Sequence, residues 1–98
     1  VKIFWTPLAI ERLENIFEYI SKENIGAAAR IIDKIFRKVE SLSEFPGLGR
    51  KVPEANREEI REVFESSYRI IYRVDKKRIH ILSIRNFRQL LTENDLIK

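Results

Sequence analysis

The chain has 98 residues, 44% hydrophobic and 35% charged, with no cysteine and a formal net charge of +4. That size builds one core, and the lack of cysteine excludes a disulfide framework, a zinc–thiolate site and a nucleophilic thiol. No apolar run approaches the roughly 20 residues that span a bilayer, and no signal-peptide pattern opens the chain, so one cytoplasmic domain over residues 1–98 is expected.

Val1 to Trp5 is rich in β-branched and aromatic residues and predicts a short strand. Thr6-Pro7 then suits a helix start: the hydroxyl can cap a free backbone N–H, and proline fits the first helical position. Ala9, Leu13, Ile16, Phe17 and Ile20 recur at helical spacing, with Glu11, Glu14 and Glu18 opposite, which predicts a helix ending near Glu23. Ala28, Ile31, Ile32, Ile35, Val39 and Leu42 mark a second helix, closed by Phe45-Pro46-Gly47. Its Arg30, Lys34, Arg37 and Lys38 read as a solvated side. So short a link makes the two helices a hairpin.

Pro46 to Asn56 reads as loop, and Gly47-Leu-Gly49 within it as turn chemistry, since it follows a helix rather than opening one. Three strands follow at about 59–65, 68–74 and 79–85, joined by turns at Ser66-Ser67 and Asp75–Arg78. The third is apolar on both faces apart from His80 and Ser83, which suggests a central position. After Arg88 the pattern is weakly helical at most, so residues 89–98 are expected to be a flexible tail or a short helix. The fold class is α+β, in the order β-α-α-β-β-β, with the helical hairpin on one face of a small, mostly antiparallel sheet.

The charge is uneven. Residues 1–45 carry seven basic and seven acidic side chains, whereas 46–98 carry twelve and eight. In Tyr68-Arg-Ile-Ile-Tyr-Arg-Val74, side chains alternate faces, so Tyr68, Ile70, Tyr72 and Val74 point one way and Arg69, Ile71 and Arg73 the other. With the helices on the first face, the second is expected to be an open cationic surface facing an anionic partner.

The opening Ile-Phe-Trp-Thr-Pro-Leu-Ala, the Phe-Pro-Gly-Leu-Gly-Arg loop with its Val-Pro-Glu, the Ile-Arg-Glu strand and Tyr-Arg-Ile-Ile-Tyr-Arg-Val, in this order, resemble the RelE/ParE superfamily. The resemblance runs from about Lys2 to Arg88 and implies a toxin of a bacterial type II toxin–antitoxin module, also called a plasmid-stabilisation protein. It implies no cofactor or metal, and a hetero-oligomer with an antitoxin that lays an acidic, partly disordered segment on the toxin. RelE-like members cleave mRNA on the ribosome; ParE-like members inhibit DNA gyrase. The Gly-Leu-Gly-Arg-Lys-Val-Pro-Glu and Ile-Arg-Glu signatures look closer to the ParE-like branch. A third reading is an inactive relative that only binds antitoxin.

If the chain is a nuclease, the resemblance assigns Arg69 and Arg85 to the phosphate and Glu54 to the general base. Cleavage through a 2′-hydroxyl also needs an acid for the leaving oxygen. Nuclease relatives supply a histidine or tyrosine after the last strand, where this chain has Asn86 and Phe87. An amide has no proton to give at neutral pH, which argues against catalysis. A binding surface for target or antitoxin is expected to use Arg61, Arg69, Arg73, Arg85, Phe87 and Arg88. His80, the only histidine, reads as a packed residue, because no companion ligand accompanies it.

Overall fold

A computed structural model describes residues 1–97; Lys98, the end of the expected tail, lies outside the described residues. The elements are β1 (Lys2–Trp5), α1 (Pro7–Ser21), α2 (Ile25–Ser41), β2 (Arg50–Lys51), β3 (Ile60–Glu65), β4 (Tyr68–Val74) and β5 (Arg78–Asn86), then a 3-10 turn at Glu93–Leu96. The sheet order is β1-β5-β4-β3-β2, with β1 parallel to β5 and every other pair antiparallel. Among the described residues no helix is long and apolar enough to cross a membrane.

Local chemistry starts both helices, the first as expected. The Thr6 hydroxyl accepts from the Ala9 N–H at 3.2 Å and donates to the Ile81 carbonyl at 2.7 Å, so one buried side chain caps α1 and pins it to β5. The Asn24 side chain caps α2 by accepting from Ala27 N–H at 2.9 Å. Ala9, Leu13, Ile35, Val39 and Leu42 of the hairpin region then pack on Val63, Ile70, Tyr72, Ile79, Ile81 and Ile84 of the sheet. This is the main core, and it lies on the face that strand alternation assigns to Ile70 and Tyr72.

The helices are shorter than expected, ending at Ser21 and Ser41, and turns lead out of both before the first proline of the loop. The stretch read as loop contains β2, whose Arg50 and Lys51 pair with Glu62 and Arg61 and add an edge strand. Beside it the Tyr72 hydroxyl accepts from Gly49 N–H and donates to the Pro46 carbonyl, both at 2.8 Å. A methyl group on Gly49 would meet the backbone carbonyl of Glu62 and lie 2.7 Å from that hydroxyl. Gly49→Ala is therefore expected to lose roughly 1–3 kcal/mol in urea denaturation, and a midpoint equal to the parent's would refute this close approach.

The open cationic face is the expectation that the structure corrects. Ile60, Ile71 and Leu82 on that side join Val52 in a second cluster, covered by Ala55 from the loop and by Leu91 and Leu96 from the C-terminal segment. Apolar side chains between the arginines demand a cover, and the chain's own tail supplies it. The tail is thus docked rather than free.

A bulge also alters the parity of β5. Ile71 pairs with Ser83 but Tyr72 with Ile81, which leaves Leu82 as the extra residue. Residues before and after the bulge therefore swap faces: Ile79, Ile81 and Ile84 all join the main core. His80 points to the tail side, opposite Arg73 and edge-on to Phe4 at 5.8 Å, and it is buried.

Candidate functional site

On the tail side of the sheet, Phe64, Arg69 and Arg85 form one row across β3, β4 and β5, because Phe64 pairs with Arg69 and Arg69 with Arg85. The two arginines are thus direct cross-strand neighbours. Like charges in that position repel unless offset; Arg69 is neutralised by two carboxylates from elsewhere, whereas Arg85 shares one with Arg12.

Arg69 is 5% exposed. Its Nε donates to Glu62 Oε1 at 2.6 Å, while Nη1 and Nη2 grip the two oxygens of Glu54, each at 2.9 Å. A fourth bond runs from Nη1 to the Gln89 carbonyl at 3.2 Å. Glu62, itself fully buried, also accepts from Arg50 Nε at 2.8 Å. Glu54 reaches Arg69 from the loop after β2 and accepts from the Leu91 N–H at 3.2 Å, so it also ties down the tail.

These contacts set the proton affinities. The hydrogen bond from Arg69 is the main reason the Glu54 carboxyl lies at about 2 instead of 4.5. Reciprocally, the bond from Glu54 raises the Arg69 guanidinium above its ordinary value, against the opposing effect of burial. At neutral pH the pair is a fixed, bidentate ion pair.

Arg85 is held differently. Its Nε donates to Asp95 Oδ2 at 3.0 Å, and Arg12 of α1 donates to Asp95 Oδ1 at 3.3 Å. Asp95 is fully buried and also accepts from the Ser83 hydroxyl at 2.6 Å and the Thr92 N–H at 2.9 Å. Burial pushes its carboxyl up, but the bonds from Ser83 and Thr92 and the charge of Arg85 outweigh that and hold it below the usual range.

Over Arg69 lies a shallow depression of about 550 Å³, lined by Arg50, Pro53, Glu54, Phe64, Phe87 and Leu90. Phe64, Phe87 and Leu90 are all exposed there. Arg50 stacks over Phe64 at 5.3 Å and Arg88 over Phe87 at 5.4 Å. The result is an apolar rim around a neutralised cation.

The structure therefore brings together Arg69, Arg85, Glu54, Phe87 and Arg88. Arg73 shares their face two pleat repeats along β4, beyond Ile71 and beside His80. Arg61 does not join them: it pairs with Tyr72 on the helix side and donates to the Gly49 carbonyl at 2.8 Å. Sequence reasoning missed Glu62, Asp95 and Arg12. Thr92-Glu-Asn-Asp95 carried a signal, because it is a capping-box pattern and forms one here. Among the described residues no group of acidic or histidine side chains could hold a metal ion.

Comparison with known proteins gives a consistent picture. The solved chromosomal ParDE TA system from P. aeruginosa contains a chain superimposing with a TM-score of 0.72 at 22% identity, over 88% of this chain and 95% of that one. The toxin–antitoxin complex RelBE2 from Mycobacterium tuberculosis does so with a TM-score of 0.65 at 20% identity, over 87% and 95%. At that identity both establish the fold alone. A candidate toxin of Sinorhizobium fredii, Y4kP, is 43% identical over 49 residues, so the aligned chain spans about half the length of that curated relative. The family model for the ParE toxin of the type II toxin–antitoxin system parDE matches residues 3–91, and the chain belongs to that family.

Proposed function

We propose that this chain is a toxin that acts by binding a protein target, DNA gyrase being the target its ParE-like signatures imply, and that a cognate antitoxin neutralises it in the cytoplasm. The supporting observation is the state of Arg69. Four hydrogen bonds occupy its guanidinium. A phosphate could grip it bidentately only by displacing Glu54, at the cost of a bidentate charged pair. Glu54, with a carboxyl at about 2, is also a weak proton acceptor at neutral pH. Asn86 and Phe87 offer no acid at the end of β5. What the surface presents instead is an apolar rim of Phe64, Phe87 and Leu90, the composition of a protein-binding patch.

The antitoxin is expected to bind as an extended or helical acidic segment that orders on contact, giving a hetero-oligomer. Purified chain added to gyrase should inhibit supercoiling, and adding antitoxin should restore it. Unchanged supercoiling at large molar excess would reject the gyrase reading.

One observation favours a second reading, a ribosome-dependent mRNA endonuclease: Arg69 and Arg85 are direct neighbours and Glu54 touches Arg69. On that reading, incubation with translating ribosomes yields cuts at fixed codon positions, and supercoiling is untouched.

A further inference from the structure

We infer that the cleft between α1 and the end of β5 is a carboxylate-binding site, which receives an acidic side chain from an acidic and partly apolar segment of the antitoxin; that choice of partner rests on the function proposed above. The cleft has a volume of about 470 Å³ and is lined by Arg12, Asn15, Ile16 and Tyr19 of α1, facing Tyr68 and Arg85 of the sheet. It is separate from the depression over Arg69.

The cleft wall holds unspent hydrogen-bonding capacity. A guanidinium carries five N–H donors. Arg69 spends four of them on two carboxylates and a carbonyl. Arg12 and Arg85 share a single carboxylate, Asp95, and each makes one hydrogen bond to it among the described residues. Arg12 Nε is buried without an acceptor among the described residues. Two cations against one anion leave a net positive charge in the wall of the cleft. Both side chains remain partly accessible, at 24% and 16%. Asp95 fixes both guanidiniums, so little ordering cost remains when a second carboxylate arrives.

The surroundings select the kind of anion. Around its single arginine α1 carries Glu11, Glu14 and Glu18, which would repel a phosphate backbone running along the helix. A lone carboxylate entering the cleft avoids them. Tyr19 and Tyr68, near enough that Tyr19 helps burial to raise the Tyr68 phenol, offer rings to a neighbouring apolar side chain. The fit is to a glutamate or aspartate next to a leucine-like or aromatic residue, rather than to RNA.

Asn15 is exposed on the rim and, among the described residues, bonds to none of the charged groups, so it can be altered without disturbing the fold. The test is calorimetric titration of full-length antitoxin into the parent chain and into Asn15→Asp and Asn15→Lys, with thermal melts verifying that both variants fold. Asn15→Asp should weaken binding roughly tenfold or more and Asn15→Lys should preserve or tighten it. Parent affinity in both variants would overturn the cleft while leaving the antitoxin reading intact. No binding to the parent chain would defeat the antitoxin reading and the inference together. A short single-stranded oligoribonucleotide that binds the parent and is lost on Asn15→Asp would reassign the cleft to nucleic acid and overturn the carboxylate.

Discussion

Asp95→Asn is expected to destabilise the chain by about 3–5 kcal/mol, the range for breaking a buried, hydrogen-bonded ion pair. Asp95 has no exposed surface, and its two oxygens serve Arg12, Arg85, Ser83 and Thr92. An amide keeps the shape but removes the charge, and its NH₂ group would face donors where an acceptor is needed. Two guanidiniums would then lose their shared counter-charge. The damage should spread, because this carboxylate joins α1, β5 and the tail. For a chain of this size total stability is on the order of 5–15 kcal/mol, so Tm should fall on the order of 20 °C. Ser83→Ala, which removes one neutral donor, should cost only about 1 kcal/mol. Similar losses for the two variants in chemical denaturation would mean that Asp95 is an ordinary cap and not the tie between the layers.

Much of this architecture was legible in the residues, for reasons that also explain the errors. The α1 start was readable because Thr6-Pro7 is a local signal whose chemistry needs no partner. The faces of β4 were readable because its side-chain period is two and the strand is regular. β5 was not, because its bulge at Leu82 is set by pairing with β4 and has no glycine or proline to announce it. The cationic face was misread for a different reason. Ile71 stands between Arg69 and Arg73 and needs cover, yet the cover comes from Val52, Leu91 and Leu96, which are distant in sequence and have no periodicity of their own. Likewise Glu62 and Asp95 drew no reading, and Glu54 was placed only by the resemblance, since counting charges cannot reveal which carboxylate meets which guanidinium. Arg69 and Arg85 were found; the neutralisation of Arg69 was not.

That neutralisation makes Arg69→Ala the second large effect, again about 3–5 kcal/mol. The substitution would leave Glu62, whose side chain is fully buried, with only the mostly exposed Arg50 as counter-charge. It would also free Glu54 from its bidentate partner and loosen the tail held through Gln89 and Leu91. Glu54→Gln should cost less, about 1–2 kcal/mol, because that side chain keeps some contact with water. The pH dependence separates this account from a simple packing loss. The folded-state pKa of Glu54 lies below its ordinary value, so its contribution is complete above about 4.5 and disappears as pH falls towards about 2. The parent should therefore lose stability through this window more steeply than Arg69→Ala, which no longer has the pair to lose. Any fall in toxicity on Arg69→Ala must then be compared with folded yield before it is read as lost chemistry. Arg69→Lys keeps a cation but not the fork, and should recover only part of the stability. Equal denaturation midpoints for Arg69→Ala and the parent at neutral pH would show that Arg69 is not a structural tie, and would return it to the role of a charge available to a ligand.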